Sequence, residues 1–170
     1  MLVAIVADIH DNLANLEKCL AWLKQAGAEK LLCLGDLANE ETLDFLAANF
    51  GGEIFLVSGN ADTYDPDTTL SFGGRIKHLG ESGSLEIGGC RLAMVHEKWK
   101  LEKMKNLAEY DFAFYGHSHR PWLEKNGRLI IANPGNLAGA FYSASFALLE
   151  TKEKQLSLKS LREIQKTALV

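Results

Sequence analysis

Apolar residues in the first third of the chain fall into short unbroken runs, each followed by a polar turn. Residues 2–7, LVAIVA, are continuously apolar and rich in β-branched side chains, the pattern of a strand buried on both faces. From Asn12 the period changes. Leu13, Leu16, Leu20 and Leu23 recur at helical spacing, Asp11 or Asn12 can cap the start, and Gly27 follows the end. KLLCLGD (30–36) then reads as a second buried strand, EETLDFLAANFGG (40–52) as a short helix closed by glycine, and EIFLVSGN (53–60) as a third strand. This β-α-β-α-β opening predicts a parallel sheet with right-handed crossovers.

The second half is richer in strands. A polar loop over 61–75 is followed by SLEIGGCRLAMVH (84–96), two strands joined at Gly88 and Gly89. Trp99, Met104, Leu107 and Ala108, set among lysines, predict a helix over 97–109. DFAFYG, RLIIAN, SASFALLE and QLSLKSL follow as strands. Two sheets packed together under outer helices are expected, and no repeat or linker divides residues 1–170, so a single domain is predicted.

Composition narrows the function classes. The chain has 170 residues, 47% of them hydrophobic, which is enough for a substantial core. A net charge of -4 and a pI of about 5.7 give no basic field for nucleic acid or anionic lipid. No apolar run approaches the roughly 18 residues that span a bilayer, and MLVAIVADIHD lacks the basic start of a secretion signal, so a cytoplasmic location is expected. Cys19, Cys33 and Cys90 are widely spaced and never form C-x-x-C, which argues against a disulfide framework or a thiolate zinc site; Cys19 and Cys33 read as core.

The candidate chemistry lies where the apolar runs stop. The first ends in Asp8-Ile9-His10, the second in Gly35-Asp36, the third in Gly59-Asn60, a later one in His96, and another in Gly116-His117-Ser118-His119. In an open α/β sheet the carboxyl ends of strands border the ligand crevice, so these groups should converge. His78 is the exception among the histidines and reads as a surface or satisfied polar residue. Each segment alone fits an ordinary turn, but turn chemistry does not ask for histidine. Two carboxylates, one carboxamide and four imidazoles without a thiolate suit Mn, Fe, Co, Ni or Zn. Seven ligands exceed one open ion and fit two, the device for in-line displacement at phosphorus. If the strand continued through GHSH, His117 and His119 would point to one side, at one volume.

In this order, Asp8-x-His10, Gly35-Asp36, Gly59-Asn60-x-Asp62, His96 and Gly116-His117-x-His119 resemble the calcineurin-like metallophosphoesterases, in particular their small bacterial and archaeal phosphodiesterases. The resemblance runs to the NPGN turn at Asn133–Asn136. It implies a four-layer α/β/β/α sandwich of two mixed sheets, with Asp8, His10 and His119 on one ion, Asn60, His96 and His117 on the other, and Asp36 bridging. His117 and His119 would thus be divided between two metals, manganese first among the choices. Asp36, Asn60, His96 and Asp62 become the catalytic candidates, Asp62 either orienting a ligand or bracing its turn. Two divalent ions carry four positive charges; Asp8 and Asp36 remove two and a bridging hydroxide a third. The remaining charge matches a phosphodiester, which is the expected phosphate-ester substrate.

Two positions depart from the family pattern. Ala61 stands where a histidine is common, which leaves the leaving-group acid unassigned, and Glu97 stands where glycine is common, a carboxylate with the sign to repel phosphate or narrow the cleft. The alternatives are a non-catalytic interaction scaffold on the same fold, as in the family's retromer subunit, and a phosphomonoesterase. Lys98, Lys100, Lys103 and Lys105 read as a solvated helix face, and residues 61–75 as a surface loop or lid. The natural substrate, the physiological metal and the oligomeric state are not written in the motifs.

Overall fold

The N-terminal apolar run becomes β1 (Leu2–Val6), and the residues of 3–7 divide between two cores: Ala4 and Val6 pack on one face, Val3, Ile5 and Ala7 on the other. A strand apolar on both sides must be covered on both, and that requirement sets the layers. The computed structural model describes residues 1–167. β1 leads through α1 (Leu13–Ala26) to β2 (Lys30–Cys33), and through α2 (Glu40–Asn49) to β3 (Glu53–Leu56). Asn12 caps α1 by accepting the Asn15 N–H at 3.0 Å, and Asn39 caps α2 by accepting the Thr42 N–H at 3.0 Å. β4 (Ile76–His78) extends the parallel run. On the other side of β1 lie β10 (Ser145–Glu150) and β11 (Gln155–Ser160), both antiparallel to their inner neighbours, followed by α3 (Leu161–Thr167).

The second sheet has the order β5 (Ser82–Ile87), β6 (Cys90–Val95), β7 (Phe112–Phe114), β9 (Leu129–Asn133), β8 (Trp122–Asn126). It is also mixed: β6, β7 and β9 run parallel, while β5 and β8 pair antiparallel at the edges. Gly88 and Gly89 form the two-residue turn of the β5–β6 hairpin with φ of 57° and 76°, the left-handed pair such a turn needs. The fold is thus an α/β arrangement of two mixed sheets, with apolar residues between them and more beneath α1 and α2. Cys19 and Cys33 are buried in these cores, where burial pushes both thiols far above their ordinary range. No helix among the described residues is long and apolar enough to cross a membrane.

One local expectation fails and two strands, β8 and β4, are not predicted, each for a physical reason. The predicted helix over 97–109 is instead two 3₁₀ turns, Lys98–Lys103 and Leu107–Glu109, separated by Asn106 at φ 56°. Leu101, Met104 and Leu107 recur every three residues, which aligns one face of a 3₁₀ turn, and they cover the outer face of the second sheet. β8 escapes a pattern-based reading because it is an exposed edge strand held by its pairing with β9. β4 is too short to show a period. The loop over 61–75 contains a further 3₁₀ turn, Pro66–Phe72, capped by Asp65.

Beyond this loop, Arg75 ties the β4 side to the last turn of α2, where carbonyls lack helical partners. Its guanidinium donates to Phe50 O and Ala47 O, both at 2.6 Å. Arg75→Ala is expected to destabilise the protein by about 1.5–3 kcal/mol, the range for hydrogen bonds involving a charged group, measured by denaturant unfolding.

Candidate metal centre

The carboxyl ends of β1, β2, β3, β6 and β7 meet at one edge of the sandwich, and glycine makes the meeting close. A Cβ on Gly59 would stand 2.1 Å from Asp36 N, and one on Gly35 would stand 2.6 Å from Gly59 N. The Gly before Asp36, and the one before Asn60, therefore let two backbones touch. Asp8, His10, Asp36, His117 and His119 all adopt left-handed φ, from 45° to 64°. Each is a strained choice for a residue with a side chain, and such strain gathers at functional sites.

Hydrogen bonds hold the loops in place. Ile9 and His10 N–H both donate to Asp36 O, at 2.8 and 3.0 Å, and the His117 N–H donates to both Asp8 oxygens, at 3.1 and 3.0 Å. Asp62 accepts from Gly59 N–H at 2.7 Å and from Ala38 N–H at 3.0 Å, so each of its oxygens braces a loop. Two buried amides support the histidine loop, Asn133 donating to Gly116 O and Ser118 Oγ, and Asn136 to His119 O. The NPGN turn carried these amides in plain view, but their task needed the structure, since a buried asparagine shows nothing in sequence of what it bonds.

The polar side chains form two clusters, Asp8, His10 and His119 in one, and Asp36, His96 and His117 in the other, each with its ligand atoms within 4.8 Å of one another. His117 and His119 are split between them, with the His117 ring against His96 and the His119 ring against His10, both at 5.1 Å between centroids. β7 stops at Phe114, so the same-side geometry of a continuing strand does not apply. Asn60 Oδ1 lies 3.0 Å from His96 Nε2. Asp36 Oδ2 stands between the clusters, 3.3 Å from His96 Nε2 and 3.6 Å from His10 Nε2.

This arrangement fits cations. His96 Nδ1 lies 2.8 Å from Leu34 O and must carry the proton that bonds it, so in neutral His96 the Nε2 lone pair faces Asn60 Oδ1 and Asp36 Oδ2, both acceptors. His10 Nε2 and His119 Nε2 face each other at 3.3 Å beside Asp8 and Asp36. Lone pairs so gathered call for protons or metal ions, and the two His/Asp clusters are consistent with a dimetal centre.

The two carboxylates differ in environment. Burial pushes Asp8 up to about 7, against the pull of His96, and the negative charge of Asp36 adds to the rise. Burial also pushes Asp36 up, but bonds from His96 and the Ala61 N–H, with the fields of His96 and His10, leave it below the ordinary carboxylate range. Burial lowers His96, yet Asp36 brings it above the usual imidazole range, whereas burial and His10 hold His119 below it. Glu97 meets Lys100 at 2.7 Å, so its charge is balanced beside the site. Lys98 pairs with Glu124 at 2.9 Å, so two of the four lysines expected on a solvated face, Lys98 and Lys100, are held in ion pairs, while Lys103 and Lys105 are exposed. His78 lies outside the centre, its Nδ1 accepting from Gly80 N–H.

Residues 1–154 match the calcineurin-like phosphoesterase superfamily domain. Phosphodiesterase YfcE of Escherichia coli K12 is 27% identical over 151 residues, covering 81% of this chain and 80% of the relative. The solved structure of an archaeal phosphodiesterase superposes with a TM-score of 0.84 at 21% identity, over 94% of this chain and 99% of that one. Entamoeba histolytica Vps29 in complex with zinc shares the fold, with a TM-score of 0.70 at 23% identity, over 94% of this chain and 96% of that one.

Asp8 sets a pH-dependent stability. In metal-free protein the folded state keeps the Asp8 proton up to about pH 7, whereas the unfolded chain releases it near 3.8, so this contribution to stability is lost as pH rises through that window. Asp8→Asn in chelator should therefore be more stable than the parent by roughly 2–4 kcal/mol at pH 8, at about 1.4 kcal/mol per pKa unit, with the gain shrinking to nothing near pH 4. Denaturant melts across pH measure this, and equal stabilities at pH 8 would refute it. Gly59→Ala should separate the loops and weaken metal binding at least tenfold, read by titration calorimetry with Mn²⁺.

Proposed function

The chain belongs to the calcineurin-like phosphoesterase superfamily, and from that premise we propose that it is a dimetal-dependent phosphodiesterase. Asp8, His10 and His119 would hold one ion and Asn60, His96 and His117 the other, with Asp36 placed to serve both. The observation that carries this reading is the position of Asp36 Oδ2, one oxygen within 3.6 Å of an imidazole from each cluster. The ligand set suits manganese, and also Fe, Ni, Co or Zn. Two ions, when bound, supply Lewis acidity, an acidified water and charge for the phosphoryl oxygens.

The chain's own residues hold and orient. Leu34 O fixes the His96 tautomer, leaving Nε2 as the ligand atom. The His117 N–H anchors Asp8, and the Ala61 N–H anchors Asp36 Oδ1 at 2.7 Å, so neither carboxylate can swing away. Asp62, bonded through both oxygens, is a positioning residue that fixes Asn60 through its turn. Hydrolysis forms a bond from water oxygen to phosphorus and breaks the ester bond, and the departing oxygen takes up a proton. With Ala61 in place of an acid, the chain favours leaving groups that depart without one, so aryl esters should be cleaved faster than alkyl esters.

The test is metal content followed by hydrolysis of bis(4-nitrophenyl) phosphate and 4-nitrophenyl phosphate with Mn²⁺. Two ions per chain, a preference for the diester, and a loss of about 100-fold or more in kcat/KM with His117→Ala are expected. Two bound ions without turnover of either ester would instead favour an interaction scaffold; faster monoester cleavage would favour a phosphomonoesterase.

A further inference from the structure

We propose that the cleft beside the centre is a nucleoside-binding subsite, which seats the base of a nucleotide ester against Trp122 and Tyr142 while Arg120 meets its phosphate. The proposal rests on the phosphoesterase reading and names its substrate class.

The loop that carries His117 and His119 places Ser118 in the wall of a neighbouring cleft of about 310 Å³, shared with Tyr115, Arg120, Trp122 and Tyr142. That volume is at the small end of the range for small-molecule sites. Trp122 is 41% exposed, Tyr142 44% and Phe141 92%. Phe141 is held at φ 63°, with its ring 6.1 Å from the ring of His119, so the aromatic surface reaches the rim of the centre. Aromatic faces left in water beside a polar site are surface that a planar ligand can cover.

Charge selects among planar ligands. Lys98 is balanced by Glu124 at 2.9 Å, whereas Arg120 has no carboxylate partner among the described residues and lies over the Trp122 ring at 5.2 Å. The uncompensated charge of the cleft is therefore positive, in a chain whose net charge is -4. An alkyl ester would leave the aromatic faces bare, and inorganic phosphate would meet Arg120 alone. A base-bearing ester uses both, because bases stack on aromatic side chains whatever their identity and guanidinium pairs with phosphate.

The test uses the full chain loaded with Mn²⁺ and calorimetric titration of thymidine 5′-phosphate, phenyl phosphate and inorganic phosphate. Thymidine 5′-phosphate should bind at least about tenfold more tightly than either of the others, as stacking of one base predicts. Trp122→Ala, at the start of β8, and Tyr142→Ala, in the loop before β10, should each reduce that preference to below about threefold, and Arg120→Ala should weaken binding of thymidine 5′-phosphate. Equal binding of the three ligands, or a preference kept in both aromatic variants, overturns the proposal; phenyl phosphate matching the nucleotide also overturns it, by reducing the subsite to simple aryl groups. Hydrolysis of thymidine 5′-(4-nitrophenyl) phosphate and methyl 4-nitrophenyl phosphate separates the two readings. Nucleotide-selective binding without cleavage of either ester keeps the subsite and removes the phosphodiesterase, whereas cleavage without nucleotide preference does the reverse.

Discussion

Two buried carboxylates a few ångströms from four imidazoles are the constraint to which the rest of this edge is fitted. An ionised carboxylate is expensive to bury unless charge or hydrogen bonds compensate it. Asp36 meets that requirement with the Ala61 N–H and His96, and Asp8 meets it only in part, with the His117 N–H, which is why its pKa is driven to about 7. The imbalance is what a cation would correct. Ligand atoms that repel one another without an ion can be held together only by a scaffold that gives them no alternative.

That scaffold is backbone packing. Gly35 and Gly59 let the loops after β2 and β3 interlock at distances no side chain would permit, and the left-handed turns at Asp8, Asp36, His117 and His119 bend each loop at a strand end. Such strain persists because every loop is bonded to its neighbours: Asp62 to Gly59 and Ala38, Asn133 to Gly116 and Ser118, Asn136 to His119. Parallel strands buried on both faces supply the rigid base, so the ligand atoms sit on short loops whose roots cannot move.

The same edge explains the neighbouring cleft. The histidine loop has two sides, and residues that cannot serve the centre face the other way. Tyr115 extends from β7, Trp122 begins β8, and Tyr142 comes from the loop before β10, so three separate segments bring aromatic surface to one cleft. Tyr115 is itself buried, whereas the exposure of Trp122 and Tyr142 contrasts with the close packing of the aromatic residues inside the two cores.

Much of this was legible in the sequence, because burial and ligation both constrain residue type. LVAIVA has the unbroken, β-branched pattern of a two-faced strand, and histidines after strand ends had no turn-making reason to be there. The seven candidate ligands and the α/β order follow from those facts together with the family likeness. The 3₁₀ turns in 98–109 and the edge strand β8 were not legible, since one rests on packing against a distant sheet and the other on hydrogen bonds to β9. Nor could the chain as text decide whether Asp62 orients a ligand or braces its turn, or show that Glu97 is balanced by Lys100. Sequence by itself determined which side chains are available at each strand end, because side-chain chemistry is local. Only the tertiary structure decided which of them face one another, because that depends on how loops distant in sequence pack, and ligation is a matter of a few ångströms.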